Sequence, residues 1–140
     1  MIVLDTNVVS EYMRVDVKPT VLTWFHSLVD DELVTTAVTL AEVELGIEQL
    51  PAGRRQERFR AQARSAFDVL GHRVLAFDAV AAHAYPGVIL TRRRAGRPVG
   101  ELDAQIAAIC VSRGASLATR NVKDFEGLDI KLINPWEPPA

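Results

Sequence analysis

The chain has one cysteine, Cys110, only three histidines, and no apolar run approaching a membrane-spanning helix. A lone thiol cannot close an internal disulfide, so the fold must rest on its own core, as suits a reducing cytoplasm. A helical span needs about 20 largely apolar residues, so no membrane association is expected. The start of the chain lacks a basic segment followed by an apolar stretch and a small-residue cleavage site, so no secretory signal is expected either. His26, His72 and His83 share no spacing with one another or with a nucleophile, and no catalytic role is assigned to them. Repeats and Gly-, Ser- or Pro-rich linkers are also lacking, which leaves a single domain over residues 1–140 as the expectation.

What is present is globular: 49% of the 140 residues are hydrophobic and 24% charged, with a formal net charge of −2. A chain of this length buries about two thirds of its unfolded surface. The charge is uneven. From Arg54 to Arg97 there are ten arginines against three acids (Glu57, Asp68, Asp78), while the remainder carries six basic residues against fifteen acids. A basic middle lies between acidic ends.

Apolar strand-like runs alternate with helical patterns, which predicts an α/β fold: a central parallel sheet of about five strands flanked by helices. The strands are expected at Ile2–Leu4, Leu33–Ala37, Val74–Phe77, Ser116–Ala118 and Lys131–Ile133, and the helices at about Asn7–Met13, Pro19–Leu28, Leu40–Gln49, Arg54–Leu70, Ala79–Arg94 and Asp103–Ser112. Pro86-Gly87 should kink or split the fifth helix near Tyr85. Glu137-Pro138-Pro139 should form a poorly ordered tail.

In an open α/β sheet, acids at the carboxyl ends of strands converge however distant they are in sequence. Asp5 closes the run MIVL, although Asp5, Thr6 and Asn7 are all also ordinary helix caps. Thr39-Leu40-Ala41-Glu42 has the form of a capping box, with Glu42 reaching back to the Thr39 amide. Helical periodicity does not favour Glu42 over Glu44, since Leu40, Val43, Ile47 and Leu50 share the apolar face and Glu42 lies nearly opposite. Asp103 is more telling. At about 100 degrees per residue it falls on the face of Ile106, Ala107 and Cys110, and a carboxylate facing a core needs a partner or a metal. Capping is the alternative there, and Glu101 its nearest rival. Asp124 follows the run SLA together with Thr119 and Asn121, residues equally at home in a turn.

Asp5, Glu42, Asp103 and Asp124 thus each follow an expected strand or open an expected helix. Four carboxylates cannot share a crevice as bare anions, because like charges raise one another's pKa. They imply divalent cations, and hard oxygen ligands without Cys or His suit Mg²⁺, or Mn²⁺, rather than zinc. Such an ion lowers the pKa of bound water and stabilises the phosphoryl oxygens of an in-line displacement.

Four blocks, MIVLDTNVVSEYM, TTAVTLAEVELGIEQLP, GELDAQIAAI and LATRNVKDFEGLDIKLINPW, resemble in order the signature segments of PIN-domain ribonucleases, in particular the VapC-type toxins of bacterial type II toxin-antitoxin pairs. The resemblance spans nearly the whole chain. It implies a PIN-like fold and a metal-dependent endoribonuclease that cleaves RNA, inhibits translation and growth, forms a homodimer, and is neutralised by a cognate small DNA-binding antitoxin. It matches Asp5, Glu42 and Asp103 to the three core metal-ligating acids and Asp124 to a more variable fourth. It also matches Thr6, Asn7, Thr119 and Asn121 to polar residues around the metal. Glu42 is thereby preferred to Glu44.

RNA cleavage needs a surface that neutralises phosphates, and Arg54, Arg55, Arg58, Arg64, Arg92, Arg93, Arg94 and Arg97 are candidates for it. A solvated helix face is the bland alternative for each. Trp24 and Phe25 read as packing or interface residues, and Cys110 as core. A haloacid-dehalogenase-type phosphatase would need a second Asp two residues after Asp5, where Asn7 stands. A receiver domain would need paired acids after its first strand, and none is evident. An RNA- or partner-binding module with a disabled site is disfavoured by the presence of all four acids.

Overall fold

Ile2, Val3 and Leu4 are all buried and form the central strand β1 (Ile2–Leu4) of a five-stranded parallel sheet in a computed structural model that describes residues 1–28, 31–70 and 73–138. The other strands are β2 (Leu33–Thr36), β3 (Val74–Leu75), β4 (Ser116–Ala118) and β5 (Leu132–Ile133). Their spatial order is β3-β2-β1-β4-β5, with Val3 in register with Val34 on one side and Leu117 on the other. The expected strands are present, with β2 and β3 ending earlier and β5 starting one residue later than expected.

Helices cover both faces, which is why β1 shows no alternation of polar and apolar residues. Ile2 and Leu4 pack in one cluster with Val8, Val9, Val43, Ile47, Ala63 and Leu70. These residues come from α1 (Thr6–Tyr12), α3 (Ala37–Glu48) and α4 (Arg54–Leu70); Trp24 and Phe25 of α2 (Pro19–Ser27) pack against the same cluster. Val3 points the other way, into a cluster with Ala81 and Val88 of α5 (Ala79–Arg94) and with Ile106, Ala107 and Cys110 of α6 (Glu101–Arg113). Cys110 is fully buried, as its helix face requires. Gly114, at φ 60°, ends α6 in the left-handed conformation that a side chain would strain.

Two local expectations fail. The helix after β2 begins at Ala37, with Thr36 as its cap, because the Thr36 hydroxyl accepts the Thr39 amide at 3.1 Å. Thr39 therefore lies inside the helix, and the capping box Thr39-x-x-Glu42 does not form. The fifth helix, α5, runs unbroken through Pro86. Pro86 and Gly87 are exposed, so the carbonyl of Ala82, deprived of an N–H partner by the proline, can bond to water instead. At the C-terminus, Glu137 donates its amide to the Asn134 carbonyl at 3.1 Å. Pro139 and His72 lie outside the described residues.

Candidate active site

The chain order steps outward from β1 through β2 to β3, then returns to the other side of β1 as β4 and β5. The carboxyl ends of β1 and β4 therefore flank the point where the strand order reverses, the usual ligand crevice of such sheets. Asp5 stands there. It is 6% exposed, its amide donates to the Ala118 carbonyl at 3.1 Å, and its Oδ1 accepts the Val8 amide at 2.9 Å. Asp5 thus does cap α1, yet capping does not require a nearly buried carboxylate. Burial chiefly, with the charge of Asp103 adding to it, pushes its pKa up to about 6 against the opposing pull of Thr119 and the Val8 amide.

Glu42 lies in the second turn of α3, half-buried, and takes a hydrogen bond from the Thr6 hydroxyl to its Oε1 at 2.8 Å. Thr6 Oγ1 also lies 3.2 Å from Thr39 Oγ1, and Thr36 Oγ1 lies 3.4 Å from the latter. Three threonine hydroxyls thus run from the end of β2 to Glu42. Sequence reasoning gave Thr36 no role and Thr39 only a capping role; the run TTAVT at the strand-to-helix turn was the available signal. Glu44 is exposed and makes no contact with this chain of hydroxyls among the described hydrogen bonds.

Asp103 is half-buried at the start of α6, whose cap is Gly100, and no side chain caps that helix. Capping does not explain this acid. Burial raises its pKa, and Glu42 and then Asp124 raise it further. Asp124 is exposed, at the end of a 3₁₀ turn over Val122–Asp124, and its amide donates to the Asn121 carbonyl at 3.0 Å. That turn is tied to β4 by the Asn121 amide, which donates to the Thr119 hydroxyl at 3.0 Å. Thr119 is fully buried, Thr6 half-buried, and Asn7 and Asn121 exposed.

Asp103 is therefore the electrostatic hub: the charges of Glu42 and Asp124 act on it, and its own acts on Asp5. Among the described residues, no three His, Cys, Asp or Glu side chains are close enough to grip one ion directly. The donor chemistry nonetheless fits a hard cation. Mg²⁺ retains several waters and is commonly held by one or two carboxylates, so a looser ring of acids suits it better than a tight cage would.

A groove of about 670 Å³ opens beside Asn7 and is lined by Arg14, Arg58, Gln62, Arg120 and Trp136, among others. The Arg120 guanidinium stands over the Trp136 ring, 5.1 Å from its centroid. Of the arginines singled out from the sequence, only Arg58 lines this groove; Arg14 and Arg120 lie outside the basic middle. Arg93 and Arg94 are exposed, Arg97 pairs with Glu126 at 3.4 Å, and Arg55 lies over the Phe59 ring. Arg92 is 4% exposed and bonded to backbone, which removes it from the candidate phosphate contacts.

The PIN domain family matches residues 2–131 of the chain. The chain is 37% identical to the VapC ribonuclease Y4jK of Sinorhizobium fredii, over 99% of each protein. It is 31% identical to Toxin FitB of Neisseria gonorrhoeae, over 97% of this chain and 99% of that protein. A solved structure of FitAB bound to a DNA fragment superposes with a TM-score of 0.90 at 30% identity, covering 100% of this chain and 99% of the other. With the α/β fold already described, these similarities show that the chain belongs to the PIN-domain family, in its VapC-type branch.

Proposed function

We propose that the protein is a divalent-metal-dependent endoribonuclease that acts as the toxin of a toxin-antitoxin pair in the cytoplasm. The observation that carries this reading is the gathering of acids around the β1/β4 switch point, where nearly buried Asp5 feels the charge of Asp103, and Asp103 those of Glu42 and Asp124, in a chain whose relatives are named a ribonuclease and a toxin.

Asp5 and Asp103 would hold Mg²⁺ or Mn²⁺, with Glu42 and Asp124 completing the ring through direct or water-bridged contacts. A metal held there would supply a nucleophilic water at neutral pH and charge stabilisation for the phosphoryl oxygens. The chain's own residues do the rest. Thr6 fixes the Glu42 carboxylate, Thr119 and the Val8 amide fix Asp5, and the exposed amides of Asn7 and Asn121 present hydrogen-bonding groups to the RNA strand at the rim. Arg58 and Arg120 line a path for neighbouring phosphates, with Arg14 beside them paired to Glu11 and Asp16. The partner is a small DNA-binding antitoxin, in keeping with a toxin as relative and a DNA-bound complex as structural neighbour; the homodimer is what the family resemblance implies.

Induced expression in bacteria tests the reading. Growth and translation should stop with wild type and continue with Asp103→Asn at equal protein levels. Arrest by both would point to sequestration through binding rather than cleavage.

A further inference from the structure

Arg92 is buried in the last turn of α5 while its neighbours Arg93 and Arg94 are exposed. Its Nη1 donates to the Glu126 carbonyl at 2.7 Å and its Nη2 to the Lys123 carbonyl at 3.1 Å, whereas Nε has no partner. Those two carbonyls bracket Asp124 and Phe125. Phe125 is 1% exposed and locks one side of the segment into the core; the guanidinium fork holds the backbone on either side of it. Burying a guanidinium whose Nε finds no partner is costly, and an apolar side chain would fill the space at less cost if packing were all that was needed. The planar fork serves the two carbonyls, three residues apart, from two separate nitrogens, where lysine would offer a single one.

We propose that Arg92 is a positioning residue that holds the 122–126 turn so that Asp124 faces the acid cluster. The inference rests on the metal-site reading above. Partners one step removed from a metal typically alter its affinity by about 10- to 100-fold when lost.

The test uses purified, RNA-free protein carrying Arg92→Met, Arg92→Lys, Asp124→Asn, Asp5→Asn, or Arg92→Met with Asp124→Asn. Mn²⁺ binding is read from the electron paramagnetic resonance of free Mn²⁺, and amide hydrogen exchange is read without metal. Arg92→Met should speed exchange at the Asp124 and Phe125 amides but not in β1 or α6. It should weaken Mn²⁺ binding about 10-fold or more. Added to Asp124→Asn it should weaken binding less than twofold further, because its effect passes through that acid. Arg92→Lys should fall between wild type and Arg92→Met, and decides by the same measures if Arg92→Met is unfolded. Unchanged Mn²⁺ affinity in a folded Arg92 variant, or a full extra loss in the double variant, would overturn the proposal. If Asp5→Asn loses Mn²⁺ and Asp124→Asn does not, the metal site stands and the role of Arg92 falls. If neither acid matters, the metal site itself falls and the role of Arg92 with it.

Discussion

The hydroxyl of Thr6 donates to Glu42 Oε1 across 2.8 Å and so joins the first turn of α1 to the second turn of α3. Each helix springs from a different strand, β1 and β2, so this one bond ties the segment that follows Asp5 to the turn that carries Glu42. Thr6→Val keeps the shape and removes the donor. It should lower stability by about 1 kcal/mol and metal affinity by about 10-fold, with Thr6→Ser restoring both. Thermal melting and Mn²⁺ titration check the two effects. Unchanged affinity would leave Thr6 a structural role alone.

Asp5 gives the metal-free protein a defined pH dependence. Its folded pKa, raised to about 6 from 3.8 chiefly by burial, means that the native state holds a proton the unfolded chain has released between those values. The favourable contribution is complete below pH 3.8 and is lost as pH rises through 6. The shift corresponds to roughly 3 kcal/mol at most. Asp5→Asn keeps a good helix cap and removes the charge, so in EDTA it should melt several degrees above wild type at pH 7.5 and no higher at pH 4. Added Mg²⁺ at 100 times its dissociation constant should stabilise wild type by about 2.7 kcal/mol and the variant far less. A variant less stable than wild type at both pH values would show that the carboxylate stabilises the fold rather than straining it.

The arginines that matter for RNA should be those of the groove. Arg58→Ala with Arg120→Ala should lower the salt slope of single-stranded RNA binding by about 0.7 per lost phosphate contact, or about 1.4 for the pair. Arg93→Ala with Arg94→Ala should lower it less. Fluorescence anisotropy across a salt series measures both, and the reverse order would place the RNA on the C-terminal end of α5.

How far the sequence reveals this site depends on the range of the interactions involved. Asp5 and Asp103 are legible because each breaks a local apolar pattern: a buried run in one case, a helix face in the other. Glu42 breaks none. Its place comes from Thr6, 36 residues away, and only the family resemblance preferred it to Glu44. The start of α3 is misread because TTAVT offers two threonine caps, and the burial of β2 and Val38 decides between them. Arg92 is indistinguishable from Arg93 and Arg94 in a basic run. Its burial arises from carbonyls more than 30 residues later in the chain. The groove likewise joins Arg14, Arg58 and Arg120, which no local pattern links. Strand existence and helix type are local properties; the partners of a polar side chain are not.

The most direct measurement is cleavage of a structured RNA by purified protein stripped of metal, then supplied with Mg²⁺, for wild type, Asp5→Asn and Asp103→Asn. Wild type should be inactive in EDTA and recover with Mg²⁺. Both variants should stay folded yet cleave at least about 100-fold more slowly at saturating Mg²⁺, the effect of losing roughly 3 kcal/mol of transition-state stabilisation. Full cleavage by wild type in EDTA, or by either folded variant, would contradict a carboxylate-held metal as the centre of the proposed activity.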